Sequence, residues 1–153
     1  MSNFDKIIQS HQGSFPVKAM PIARDLGVAV YSVSGWPNDI SGMVKNNPDN
    51  GYEIYVNKDH PENRRRFTIA HEIGHCVLHK DLIGDGIVDD GLYRSSLSKS
   101  IEREANQFAA DLLMPWHLIN LAMSDEYNNI TALAKAFEVS EHAMSIRLGV
   151  PIG

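Results

Sequence analysis

The residues best placed to do chemistry are His71, Glu72 and His75, within the run Arg66-Phe-Thr-Ile-Ala-His-Glu-Ile-Gly-His-Cys-Val-Leu-His79. They spell H-E-x-x-H, a spacing that suits a zinc ion held against one face of a helix. Residues i and i+4 of an α-helix lie roughly 40° apart around the axis and ~6 Å apart along it. Both imidazoles therefore point the same way and can reach one ion at ~2.0–2.1 Å. Glu72 falls at the edge of that face, where it can reach a water on the ion without ligating the ion, which is the place of a general base. Phe67, Ala70, Gly74, Val77 and Leu78 recur around the motif at helical spacing, which predicts an apolar helix near the core. Ionisable groups in such a place are costly unless partnered, and a metal is a suitable partner.

A tetrahedral site needs a third protein donor if one position is to stay open for water. Glu102 supplies it in this reading, and Glu104 is its rival. The two lie roughly 200° apart around a helix, so they cannot face the same ion together. Beside Glu102, the small Ala105 would let the helix approach the histidines. Asn106, one turn on, would set its side-chain oxygen near the outer N–H of a ligand histidine. Glu104 shares a side with Ile101, Phe108 and Asp111, and its plainer reading is a charge at the rim of the core. His79 points the same way as His75 but lies ~12 Å along the axis from His71, too far for one straight helix to bring all three to one ion. Chains that use a third His place a glycine turn before it, and this one does not. His79 is expected to support the site or the structure instead.

The elements that must position these groups read as α+β, in a single domain spanning 1–153. The sheet is expected to be small and three-stranded, packed on a helical core. Residues 4–12 and 17–26 are predicted helices, the second stopped by Gly27. Gly27–Val33, Ile40–Lys45 and Tyr52–Asn57 read as strands, the last two joined by a hairpin ending Asn50-Gly51. The motif helix should run from about 60 to about 80, opened by Pro61 and a capping box, Asp59-x-x-Glu62. Arg64-Arg65-Arg66 reads as a solvated stretch, and Gly74 as a point of close backbone approach. Residues 81–98 form a Gly- and Asp-rich connection, read as the rim or lid of a cleft, with plain disorder as the alternative. An amphipathic helix follows over Ser98–Met114, and a short one near 116–122 after Pro115.

The closing stretch, Ile130–Leu148, is predicted as helix, tight turn, helix. Its spacing suits a DNA-binding helix-turn-helix, but the second helix carries one Arg and one Glu, and a groove reader needs more cations for phosphate. Two helices packed for structure is the preferred reading. The whole chain agrees: 14 Lys+Arg against 19 Asp+Glu give a net charge of −5, which disfavours nucleic acid or an anionic membrane as a main partner. The one cysteine, Cys76, cannot form an internal disulfide and lies roughly 100° around the helix from His75, so it reads as a core thiol in a reducing, cytoplasmic setting. No signal segment or membrane span is read in the sequence.

Two segments carry a resemblance that covers about residues 17 to 149: Arg66-Phe-Thr-Ile-Ala-His-Glu-Ile-Gly-His75 and Glu102-Arg-Glu-Ala-Asn-Gln-Phe-Ala-Ala-Asp-Leu-Leu-Met-Pro115. Ile40-Ser-Gly-Met43 and Val139-Ser-x-x-Ala-Met-x-x-Arg-Leu148 add to it. Together they resemble the ImmA/IrrE family of zinc metallopeptidases. The resemblance implies a gluzincin-like domain, with Asn106 where other gluzincins carry an Asp. It implies action on helix-turn-helix repressors, or a place in a toxin–antitoxin-like pair. The expectation is a zinc endopeptidase: one Zn²⁺ on His71, His75 and Glu102, with Glu72 passing the water's proton to the leaving amine. Tyr93 or Arg94 is expected to serve as donor to the oxyanion. The rival classes are a metal-stabilised module that grips a partner without cutting it, and a DNA-binding regulator.

Overall fold

In the computed structural model, residues 2–83, 86–90 and 96–151 are described. Two helices open the chain, α1 (Asn3–Ser10) and α2 (Ala19–Asp25). Ser2 and Asp5 form a reciprocal capping box at the start of α1. α2 ends at Leu26, and Gly27 follows in the left-handed region, as its place after the helix predicts.

A mixed sheet comes next. β1 (Ala29–Val33), β2 (Ile40–Asn47) and β3 (Gly51–Asn57) are the three expected strands. β3 pairs parallel with β1 and antiparallel with β2. A fourth strand, β4 (Ile87–Asp90), pairs antiparallel with β2, giving the order β1-β3-β2-β4. It lies in the stretch read from sequence as a loop. Four residues, two of them Asp and set between Gly86 and Gly91 in the sequence, carry too little pattern to announce a strand; the pairing comes from the edge of β2.

Under the sheet runs α3 (Glu62–Leu78), the motif helix. Every residue from Thr68 to Cys76 is buried, as befits a helix covered on all sides. The predicted capping box does not form. Pro61 is the N-cap and no side chain caps the turn; the Asp59 carboxylate instead accepts from the Gly35 N–H at 3.1 Å. Nor is Arg64-Arg65-Arg66 uniformly solvated. Arg66 donates to Glu62 Oε1 at 2.6 Å and Asn63 Oδ1 at 2.9 Å, and pairs with Glu138 at 3.4 Å. Leu78, expected in the apolar face, is 51% exposed.

The short helix α4 (Lys80–Ile83) leads to β4, and α5 (Ser96–Leu113) then packs along α3. α6 (Trp116–Ser124) follows Pro115, and α7 (Ile130–Phe137) and α8 (Glu141–Leu148) close the chain. One core joins these layers: Ile22 from α2, Val44 and Ile54 from the sheet, Ile73 from α3, Leu112 and Leu113 from α5, and Phe137 and Met144 from the last pair. The fold is α+β, as the sequence implies. Among the described residues, no helix is long and apolar enough to cross a membrane.

Candidate metal centre

α3 and α5 carry the site between them. His71, Glu72 and His75 lie on buried turns of α3, and Glu102 faces them from α5; all four are buried. Two features let the helices come this close. Ala105, wholly buried, presents only a methyl group on the facing side of α5. Gly74 presents none: a Cβ there would lie 3.1 Å from Phe108 Cδ1 and 3.2 Å from Phe108 Cβ. The close approach foreseen at Gly74 is therefore made by the Phe108 side chain, and not by backbone.

The predicted donors converge. One ligand atom each from His71, His75 and Glu102 lies within 4.8 Å of the others. His71 Nε2 is 2.6 Å from Glu102 Oε2, and His75 Nε2 is 3.1 Å from Glu102 Oε1. The imidazoles stand edge to face, with centroids 4.8 Å apart. Glu104, the rival, points elsewhere: its side chain is 59% exposed and meets His79 Nε2 at 3.1 Å.

The outer nitrogens of both histidines are also engaged. His71 Nδ1–H donates to Asn106 Oδ1 at 2.7 Å, the contact anticipated from the Glu-x-x-x-Asn spacing. His75 Nδ1 lies 2.9 Å from His79 Nδ1. With Nδ1 of both rings engaged in this way, the two Nε2 atoms are left facing the Glu102 carboxylate. Two imidazole nitrogens and a carboxylate, buried and pre-oriented, fit a tetrahedral ion with one position left for water.

Glu72 is wholly buried beside His71. Gly42, to which the sequence gives no role beyond the Ile40-Ser-Gly-Met43 segment, belongs to this site. A Cβ at Gly42 would sit 2.8 Å from Glu72 Oε2, 2.6 Å from Thr68 Cγ2 and 3.0 Å from the Tyr55 carbonyl oxygen. β2 thus lies directly against the carboxylate, and only glycine permits it. A glycine inside a strand pattern is the signal that points to such an approach. Cys76 is buried in the core as expected, and burial pushes its thiol up to about 12, so it stays protonated. Tyr93 and Arg94 lie outside the described residues.

The α7–α8 pair keeps its cation for packing. Arg147 donates from Nε to the Met114 carbonyl at 2.9 Å, pairs with Asp111 at 3.0 Å and stacks on Trp116. That removes the one arginine a groove-reading α8 would offer to phosphate.

A His₂Glu donor set on two packed helices, beneath a small mixed sheet, is the construction of a metallopeptidase domain. Residues 23–149 match the IrrE N-terminal-like domain, and the chain belongs to that peptidase family, whose chemistry implies a metal. The radiation response metalloprotease IrrE of Deinococcus radiodurans is 34% identical over 109 residues, 65% of this chain. The matched region is 32% of that relative, so the chain spans about a third of its length. A Mycobacterium tuberculosis transcriptional regulator shares the fold with a TM-score of 0.66 at 21% identity, over 96% of this chain and 45% of the other.

Proposed function

We propose that the protein is a zinc-dependent endopeptidase that cuts a specific protein partner. The observation that carries this reading is the convergence of His71 Nε2, His75 Nε2 and the Glu102 carboxylate, with Glu72 buried beside them. Those three residues would hold one ion per chain. Zinc supplies Lewis acidity when bound, acidifying a water and polarising a carbonyl oxygen. Glu72 takes the proton from the attacking water and delivers it to the leaving amine, so that the C–N bond breaks to a neutral product. Asn106 holds the His71 ring through Nδ1, and Gly42 lets β2 close over Glu72 and shield its carboxylate from bulk water. Membership of a peptidase family supports the reaction class.

The partner in this reading is a cytoplasmic helix-turn-helix repressor or an antitoxin, engaged through an exposed, extended segment. Family resemblance supports the partner. The mode is supported by the sheet, whose edge strands β1 and β4 offer backbone groups to an added strand. The test is to incubate the protein with the product of the neighbouring regulator gene, with and without Zn²⁺, alongside Glu72→Gln. Discrete fragments should form only with the wild type and zinc. The isosteric amide cannot accept the proton, so Glu72→Gln should keep fold and metal and lose ~10²–10⁴ of the rate. Equal turnover by Glu72→Gln, a stable complex without fragments, or rapid indiscriminate digestion of casein would each refute the proposal.

A further inference from the structure

No step above uses His79, yet its ring is 6% exposed and lies at the edge of the site. It follows the last residue of α3, with φ −126° and ψ 32°, and its N–H still bonds the His75 carbonyl at 2.9 Å. The ring spans two groups. Its Nδ1 is 2.9 Å from His75 Nδ1, and its Nε2 is 3.1 Å from Glu104 Oε1.

Two ring nitrogens that face each other at hydrogen-bond distance hold one hydrogen between them, so one donates and the other accepts. With a metal taken on His75 Nε2, the direction follows at both ends of the chain. At the inner end, His75 Nε2 faces Glu102 and His71, where a ligand must offer a lone pair; a neutral His75 then carries its hydrogen on Nδ1. At the outer end, a carboxylate only accepts, so His79 carries its hydrogen on Nε2. A neutral His79 in that tautomer has its lone pair on Nδ1, facing the His75 N–H. Both ends therefore demand one arrangement: His75 Nδ1–H donates to His79 Nδ1, and His79 Nε2–H donates to Glu104 Oε1.

We propose that His79, held by Glu104, is a positioning residue that fixes the tautomer and orientation of His75 as a metal ligand. The inference rests on the metal reading above. It gives each histidine its own support: Asn106 from α5 for His71, and His79 from the end of α3 for His75. It also gives Glu104 a part, one position removed from the donors. The side chain of Glu104 is 59% exposed, so water can take its place in part, and its contribution is the smaller one.

The experiment measures zinc affinity by competition with a chromophoric chelator, with circular dichroism to follow the fold. His79→Ala should weaken zinc by ~10–100-fold, the usual cost of losing such an outer contact. Glu104→Ala should weaken it by a few fold. His79→Asn places an amide oxygen near the position of Nδ1 and should restore most of the affinity. Because that amide is too short to reach Glu104, adding Glu104→Ala to His79→Asn should change nothing further. Imidazole ¹⁵N shifts of the zinc-loaded wild type should show His79 as the Nε2–H tautomer, a readout that holds even where His79→Ala fails to fold. Zinc-loaded wild type with His79 protonated on Nδ1, or a folded His79→Ala that binds zinc as tightly as wild type, would overturn the proposal alone. A wild type that takes up no zinc would overturn the metal reading and this inference together.

Discussion

The α3–α5 pair and the α7–α8 pair are both helices packed face to face, but they place their polar residues on opposite sides. α3 and α5 turn His71, Glu72, His75 and Glu102 into their shared interior. α7 and α8 turn Leu133, Phe137 and Met144 inward and leave Glu141 and His142 in solvent. Burial of ionisable groups works against folding unless each is partnered. The first pair accepts that cost and arranges a partner for every ring nitrogen whose contact is described above. The second carries that cost only at Arg147, whose side chain is 8% exposed and is partnered outside the pair, by the Met114 carbonyl and Asp111. A helix–turn–helix spacing alone therefore says little about function; the side to which the polar groups turn says more.

The comparison can be broken most directly at Glu102. Glu102→Ala should weaken zinc by more than the ~10–100-fold of an outer-contact change, while far-UV circular dichroism shows the helices intact. Full zinc retention would mean that the polar interior of the first pair serves packing, as in the second. A smaller effect is expected at Gly42. Gly42→Ala must displace β2 or Glu72, and misplacing a catalytic group by about 1 Å costs on the order of 10² in rate. Zinc affinity should change far less than cleavage, and an equal loss of both would assign Gly42 to the general fold. Met144→Ala probes the other pair. It removes a wholly buried side chain and should cost ~2–5 kcal/mol in denaturant unfolding. Cleavage per folded molecule should stay at the wild-type value; a selective loss of activity would show that the second pair takes part in the chemistry.

Much of this was legible beforehand, for a physical reason. The candidate donors follow helical periodicity, so i, i+4 spacing fixes His71 and His75 on one face, and the opposed positions of Glu102 and Glu104 around α5 set the first toward the histidines and the second away from them. The contact from Asn106 to His71 follows from the same geometry. What the sequence hid was set by tertiary contact. β4 forms because β2 has an edge to pair with, and its own residues announce little. Asp59 is drawn away from its expected cap by the Gly35 N–H, a partner 24 positions earlier. Arg66 is recruited by Glu138, which no local pattern brings near it. The crowding of Gly42 against Glu72 likewise exists only once the sheet lies on α3. His79 is not among the three residues whose donor atoms converge, and its link to Glu104 depends on the angle at which α3 ends.

The spacing of the donors along the chain has a consequence for thermal melting. His71 and His75 are one helical turn apart, and Glu102 follows 27 positions after His75, beyond α4 and β4. Loop-closure entropy rises only with the logarithm of length, so the denatured chain can still gather the same three donors, at a length-dependent cost on the order of 3 kcal/mol. Zinc held as proposed would therefore have a foothold on both sides of the unfolding equilibrium, and whatever binds the denatured ensemble reduces the stabilisation that a native site confers. Saturating zinc should raise the melting temperature by less than native-state affinity alone implies. The difference between the two states is then mostly orientation, the fixed rings of His71 and His75 in the one and free rotors in the other.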